Sequence, residues 1–139
     1  PSATIRREAG LRLVAARCPS VAEVTVTSPD ITGGRVATEL SPALCSSITS
    51  LDLSRGCLSL DPARDDSLRL LAARFPLLRH LNLGSMAVQM WRPCLSDASP
   101  LAACSNLRTL VLRCTHVGSC AVFSETKQLT RLDLSCTSV

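Results

Sequence analysis

Leu107-Arg-Thr-Leu110-Val-Leu112 and Leu129-Thr-Arg-Leu132-Asp-Leu134 share one pattern: an apolar residue, two others, an apolar residue, one other, an apolar residue. Working outward, the same pattern runs through Val21-Ala-Glu-Val24-Thr-Val26, Ile48-Thr-Ser-Leu51-Asp-Leu53 and Leu78-Arg-His-Leu81-Asn-Leu83. The motifs thus start at Val21, Ile48, Leu78, Leu107 and Leu129, at near-even intervals of which the last is the shortest. At the tenth position after each start stands another apolar residue: Ile31, Leu58, Val88, Val117 and Val139. The period of two in Leu51/Leu53, Leu81/Leu83, Leu110/Leu112 and Leu132/Leu134 is that of a strand with one face inward.

A second register lies between the strands. Leu13-Val-Ala-Ala-Arg-Cys18-Pro19 matches Leu70-Leu-Ala-Ala-Arg-Phe75-Pro76 position for position, and Leu101-Ala-Ala-Cys104 is a shorter version. Alanine and leucine favour helix. Asp61-Pro62 and Ser99-Pro100 offer an N-cap followed by a first-turn proline, and Asp65 and Asp66 suit the positive end of a helix dipole. Pro19 and Pro76 stop the helix before the next strand. The unit is therefore strand, loop, helix, loop. One unit cannot bury its own apolar face, so neighbours must stack, with a parallel sheet on one side and helices on the other.

The composition agrees. The chain has 139 residues, 46% of them apolar and 19% charged, with net charge +4. Its three aromatics are Phe75, Trp91 and Phe123, so the core must be aliphatic, and all of its basic residues except Lys127 are arginine. No apolar run is long enough for a membrane span. The eight cysteines are scattered, with no C-x-x-C pair and no N-x-S/T signal. They read as reduced, small buried hydrophobes of an intracellular, cytoplasmic protein.

On these motifs the chain resembles leucine-rich repeat proteins over essentially its whole length. Ile48 to Ser54 and Leu129 to Val139 match the family pattern closely. The longer units, starting at Val21, Ile48 and Leu78, are similar to the helical, ribonuclease-inhibitor-like and cysteine-containing types, and the short unit between Leu107 and Leu129 to a tighter type. Ser96 to Leu101 and Leu107 to Val117 are similar to repeat proteins of kinetoplastid protists. The resemblance implies an α/β fold: a right-handed leucine-rich repeat solenoid, or horseshoe, of about five repeats. Its parallel sheet is expected on the concave side and its helices on the convex side. The whole of 1–139 reads as a single domain, a piece of a longer array. The family usually has Asn or Cys at the ninth motif position. Here Pro29, Gly56, Met86, Thr115 and Thr137 stand there, and only the threonines can bond loop backbone.

The outward strand positions form three rows. The third motif position gives Glu23, Ser50, His80, Thr109 and Arg131; the fifth gives Thr25, Asp52, Asn82, Val111 and Asp133; the seventh gives Thr27, Ser54, Gly84, Arg113 and Ser135. From these, Glu23, Thr25, Ser50, Asp52, His80, Asn82, Thr109, Arg113, Arg131 and Asp133 are the expected partner-binding residues. Small polar residues of mixed sign suit many modest contacts with another protein. On this reading, reversing the charge of Asp52 and Asp133 together abolishes partner capture.

Other constellations carry less. His80 lies near Ser50, Asp52 and Ser54, but no G-x-S-x-G turn presents a nucleophile, so no catalytic residue and no enzyme activity is expected. Cys114-Thr-His116 with Cys120 and Cys136 is the one group resembling metal ligands; C-x-H-x3-C is not a zinc spacing, and packed thiols are expected instead of a metal. No cofactor is implied. Trp91 is expected to cover the helix layer. Arg6, Arg7, Arg12, Arg17, Arg64, Arg69, Arg74 and Arg79 are expected on solvated helix faces, and Gly33-Gly34 reads as a turn. The function expected is protein binding on the sheet face. The alternatives are a structural subunit of a large protein or ribonucleoprotein assembly, where nucleic acid is met only indirectly, and the substrate-recognition part of a ubiquitin-ligase adaptor.

Overall fold

The computed structural model of the chain describes residues 1–55, 66–84, 97–115, 117, 119 and 121–137. Six strands, β1 (Ser2–Ile5), β2 (Glu23–Val26), β3 (Ser50–Asp52), β4 (His80–Asn82), β5 (Thr109–Val111) and β6 (Arg131–Asp133), form one sheet in sequence order. Every neighbouring pair is parallel. The register sets Val24 beside Leu51, Leu51 beside Leu81, Leu81 beside Leu110 and Leu110 beside Leu132. The central apolar position of all five motifs thus forms one row.

A single carbonyl per unit locks that register. The Ala22 carbonyl accepts from the N–H groups of Thr49 and Ser50, Thr49 from Arg79 and His80, Arg79 from Arg108 and Thr109, and Arg108 from Thr130 and Arg131. A one-residue slip of any strand breaks its pair of bonds and turns its leucines outward.

The sixth strand is β1, which the motif reading did not include. Its Ala3 and Ile5 pair with Val24 and Val26, so of the three apolar motif positions only these two lie in the sequence, and one of them is alanine.

Between the strands lie α1 (Glu8–Arg17), α2 (Gly33–Glu39), α3 (Pro42–Cys45) and α4 (Ser67–Arg74). Helix α1 has Glu8 in its first turn and Arg17 in its last, as the helix dipole favours. Helices α1 and α4 both end just before the prolines, at Cys18 and Phe75. Gly33-Gly34 is not a turn: it opens α2, because the Thr32 hydroxyl accepts the Arg35 N–H at 3.2 Å as an N-cap. Ser41 caps α3 in the same way, with Pro42 in the first turn. Leu101 to Ala103 belongs to a 3-10 turn, Ser99–Ala103, instead of an α-helix. Ser99 lies inside that turn and is not its cap; Ala98 is, and the Asp97 carboxylate accepts the Ser99 N–H at 2.8 Å. A second 3-10 turn, Ala121–Glu125, precedes β6. This layer follows the sheet in order: α1 packs on α2, α2 on α4, α4 on the turn at 99–103, and that turn on the one at 121–125.

The core lies between the two layers. Leu51, Leu53, Leu81, Leu83, Leu110 and Leu112 are buried, with Phe75, Leu71 and Leu101 above them. Full burial of each such side chain is worth about 1.5–3 kcal/mol. Leu132 departs from the pattern at 36% exposed, because β6 has a strand on one side only. Ile31 and Val117 are buried as the tenth-position pattern requires. Leu58, Val88, Val139, Gly56, Met86, Asp61-Pro62, Arg64, Asp65, Trp91, His116, Cys57, Cys94 and Cys120 lie outside the described residues.

The cysteines divide. Cys45 and Cys104 are buried, Cys18 and Cys114 half-buried, and Cys136 exposed; these five are free thiols. Cys114 and Cys136 are therefore not core residues. Each sits after its strand at φ 56° and 57°, a left-handed turn that aims the side chain away from the core and that L-residues other than Gly seldom adopt.

Candidate protein-interaction face

The strand register brings the sequence rows together as expected. Across neighbouring strands, Glu23, Ser50, His80, Thr109 and Arg131 form one line, and Thr25, Asp52, Asn82, Val111 and Asp133 the next. All ten are exposed or half-buried, whereas the leucines alternating with them are buried, except Leu132, which is exposed, and Leu134, which is half-buried. Thr4 adds to the fifth-position line from β1. Arg113 lies beyond β5, exposed, in the seventh-position line.

Three of these residues do something the rows did not reveal. The Asp52 carboxylate accepts the Ser54 N–H at 2.8 Å, the Asn82 side-chain oxygen accepts the Gly84 N–H at 3.0 Å, and the Asp133 carboxylate accepts the Ser135 N–H at 3.0 Å. Each closes an Asx turn at its strand's end. The Asn82 amide also donates to the second Asp52 oxygen at 3.1 Å, tying β4 to β3. The Ser135 hydroxyl donates to Asp133 at 2.7 Å. That hydroxyl, then the Ser135 N–H and then the charges of Arg113 and Arg131 hold the Asp133 carboxyl below the usual carboxylate range. Charge reversal at Asp52 and Asp133 therefore disturbs strand ends as well as any partner contact.

Beyond the strand ends lies a shallow, open hollow of about 530 Å3, lined by Ser54, Arg55, Asn82, Gly84, Val111, Arg113 and Asp133. Gly84 makes its floor. A Cβ there meets Val111 Cγ1 at 3.1 Å and the Arg113 Cβ and N at 3.2 Å, so the missing side chain is what lets Arg113 stand against β4. Arg55 was missed by the row reading because it falls just past the seventh position. The signal was present: its counterparts Ser28, Cys114 and Cys136 are small, and arginine is the odd residue at that turn.

The opposite side of the molecule uses its charges internally. Arg35 on α2 donates to Glu8 at 2.6 Å and to Glu39 at 2.7 Å, and Arg12 donates to Glu8 at 2.9 Å. The Arg35 guanidinium, chiefly through its hydrogen bond, lowers the Glu8 pKa below its ordinary value. Arg74 reaches back from α4 to the Ala37 carbonyl at 3.1 Å and the Leu40 carbonyl at 2.9 Å, where a cation suits the C-terminal end of α2. Arg74 is therefore not a merely solvated helix arginine, whereas Arg12 is 70% exposed and its ion pair lies at the surface. Arg6, Arg7, Arg17 and Arg79 are exposed, and Arg69 only approaches Asp66, at 3.9 Å.

Among the described residues, no group of three or more His, Cys, Asp or Glu side chains is placed to hold a metal ion. No helix there is long and apolar enough to cross a membrane. His80 stands in register between Ser50 and Thr109, with no hydrogen bond from its side chain to either hydroxyl.

No protein-family model and no curated protein matches the chain. Among solved structures it is similar to an internalin C2 from Listeria monocytogenes, with a TM-score of 0.59 and 18% sequence identity. The match covers 99% of this chain and 50% of that one, so the chain spans about half the length of that structure. The fold is of the leucine-rich-repeat type. At that identity the likeness concerns the path of the backbone alone.

Proposed function

We propose that the chain is a non-enzymatic protein-interaction module that holds a protein partner on the outward face of its sheet. In this reading the layers curve as a right-handed solenoid of a single domain, with the sheet on the concave side. The observation that carries it is the face itself. Five strands hold Glu23, Thr25, Ser50, Asp52, His80, Asn82, Thr109, Arg131 and Asp133 in continuous rows, with Arg113 beside them. The side chains are polar and of mixed sign, and the backbone beneath them is already fixed by the sheet, so binding orders little. Scattered cysteines without a pairing pattern support an intracellular setting.

The test is partner capture by the chain and by variants that leave the strand ends intact. Thr109→Arg with Arg131→Glu is expected to lose a partner that the unaltered chain and an Arg69→Ala variant on the helix side both retain. Capture unaffected by the face variant and lost on the helix side overturns the reading. That outcome supports the second reading, a subunit docked through its helices, which the exposure of Leu13 on α1 (58%) and Leu70 on α4 (39%) favours.

A further inference from the structure

We propose that the hollow beyond β3, β4 and β5 is a receptor for a carboxylate, the side chain of an acidic residue on the protein partner, gripped between Arg55 and Arg113. The proposal rests on the reading of the sheet face as a partner surface and names the chemistry it selects.

The first ground is donor availability. Arg55 and Arg113 are both exposed and both line the hollow, and among the described residues neither side chain makes a hydrogen bond or ion pair. Each guanidinium offers five N–H donors in a fork that matches a carboxylate. The other polar side chains of the lining are largely committed. Asn82 donates to Asp52 and accepts from Gly84, and Asp133 accepts twice from Ser135.

The second ground is placement. Arg55 follows β3, Gly84 follows β4 and Arg113 follows β5, so the two arginines flank a floor without a side chain. Neighbouring strands lie about 4.8 Å apart, which sets the two backbones about two strand spacings apart, a gap that two arginine side chains close around one small anion. Asp133 lines the same hollow from one strand further, beyond Arg113, and makes no ion pair with that arginine.

The third ground decides which anion. Asp133 lines the hollow, Asp52 accepts hydrogen bonds from its lining residues Ser54 and Asn82, and among the described residues no aromatic side chain lines it. Two fixed carboxylates penalise a dianionic phosphate more than a singly charged carboxylate, and stacking platforms for nucleobases are missing from the lining.

The experiment is a titration of the isotope-labelled chain, followed through its arginine Nε–H and Gly84 N–H signals, with a capped Gly-Ser peptide carrying one Glu. Matched peptides carry Gln or phosphoserine instead. The Glu peptide is expected to bind about tenfold more tightly than the Gln peptide, the scale of a charge-assisted bidentate contact. Arg55→Gln and Arg113→Gln are each expected to erase that preference. Arg113→Lys should keep part of it, and Arg69→Gln, on the helix side, should leave it whole. Equal binding of the Glu and Gln peptides, no binding of either, or a preference lost equally in Arg69→Gln overturns the proposal. Binding of the phosphoserine peptide alone also overturns it, in favour of a phosphate site. Partner capture that survives both arginine substitutions together sinks this site and leaves the face reading standing, whereas only the Thr109/Arg131 variant tests the face.

Discussion

The part of the chain up to Gly84 and the part from Asp97 onward use the same strand motif and cover it in different ways. In the first part α-helices lie over the strands, and charged side chains join helix to helix through Arg35 and Arg74. In the second the described covers are short 3-10 turns, and the joining is done by hydroxyls. The Thr115 hydroxyl donates to the Leu112 carbonyl at 2.6 Å, and the Thr137 hydroxyl, one unit later, donates to the same carbonyl at 2.7 Å. Spacing explains the change at the last unit. The motif starts Leu107 and Leu129 stand closer together than any other neighbouring pair, which leaves room for a turn and none for a full helix. A thinner cover buries less, and the threonine bonds take over at the loop.

The largest effect expected from this contrast is in the leucine row. Leu81 is 1% exposed with strands on both sides, and Leu132 is 36% exposed. Leu81→Ala should cost about 2–5 kcal/mol, the range for a core cavity, and Leu132→Ala about 1 kcal/mol or less, since much of its surface is already wet. Urea unfolding of the two variants measures both. Equal losses would show that β6 is held as firmly as the centre and would erase the contrast.

Next comes Arg74. Its removal leaves the Ala37 and Leu40 carbonyls without their cation, so Arg74→Ala should cost about 1–3 kcal/mol. Arg12→Ala should cost far less, because its partner Glu8 keeps Arg35 and the pair is exposed to solvent. Thermal unfolding of the two variants separates a buried-backbone bond from a surface ion pair.

Smaller still is the hydroxyl pair. Thr115→Val keeps the shape and removes one donor, for an expected loss of about 1 kcal/mol. Thr137→Val should cost less. The two should not add, because both hydroxyls share the Leu112 carbonyl, which also accepts the Thr115 N–H at 3.2 Å, and a double-mutant cycle reads that coupling directly.

Much of this was legible in the motif. Three apolar positions that must all face inward fix the strand register, so the rows through Ser50, His80 and Thr109 followed from spacing alone. Strand β1 did not follow, because alanine at Ala3 carries no apolar signal. Helix α2 did not follow either. Two glycines at its start cost about 1 kcal/mol each in helix propensity, and what offsets them is the burial of Val36, Ala37 and Leu40, a tertiary fact that no local signal contains. The Asx turns were readable and were not read. Asp52-Leu-Ser54, Asn82-Leu-Gly84 and Asp133-Leu-Ser135 share one spelling, and Asp or Asn two positions before Ser or Gly is a turn signature. Read only as outward polar residues, they left out the strand-end closure that the same side chains perform. The hollow escaped because it depends on what is missing at Gly84.

The mildest test perturbs nothing in the fold. Cys45 and Cys104 lie under the helix layer, and burial pushes both thiols up, Cys104 to about 11. The thiolate is the reactive form, so at pH 8 Cys104 is both covered and protonated. Cys136 stands in the open on its left-handed turn. Among the described cysteines, brief alkylation of the native chain with iodoacetamide, read by peptide mass spectrometry, should modify Cys136 first, Cys18 and Cys114 more slowly, and Cys45 and Cys104 last. The order follows from which thiols sit on turns and which lie under a helical cover. Early labelling of Cys104 would mean that the 3-10 turn over it opens readily, and that the second region is looser than its closed hydrogen bonds imply.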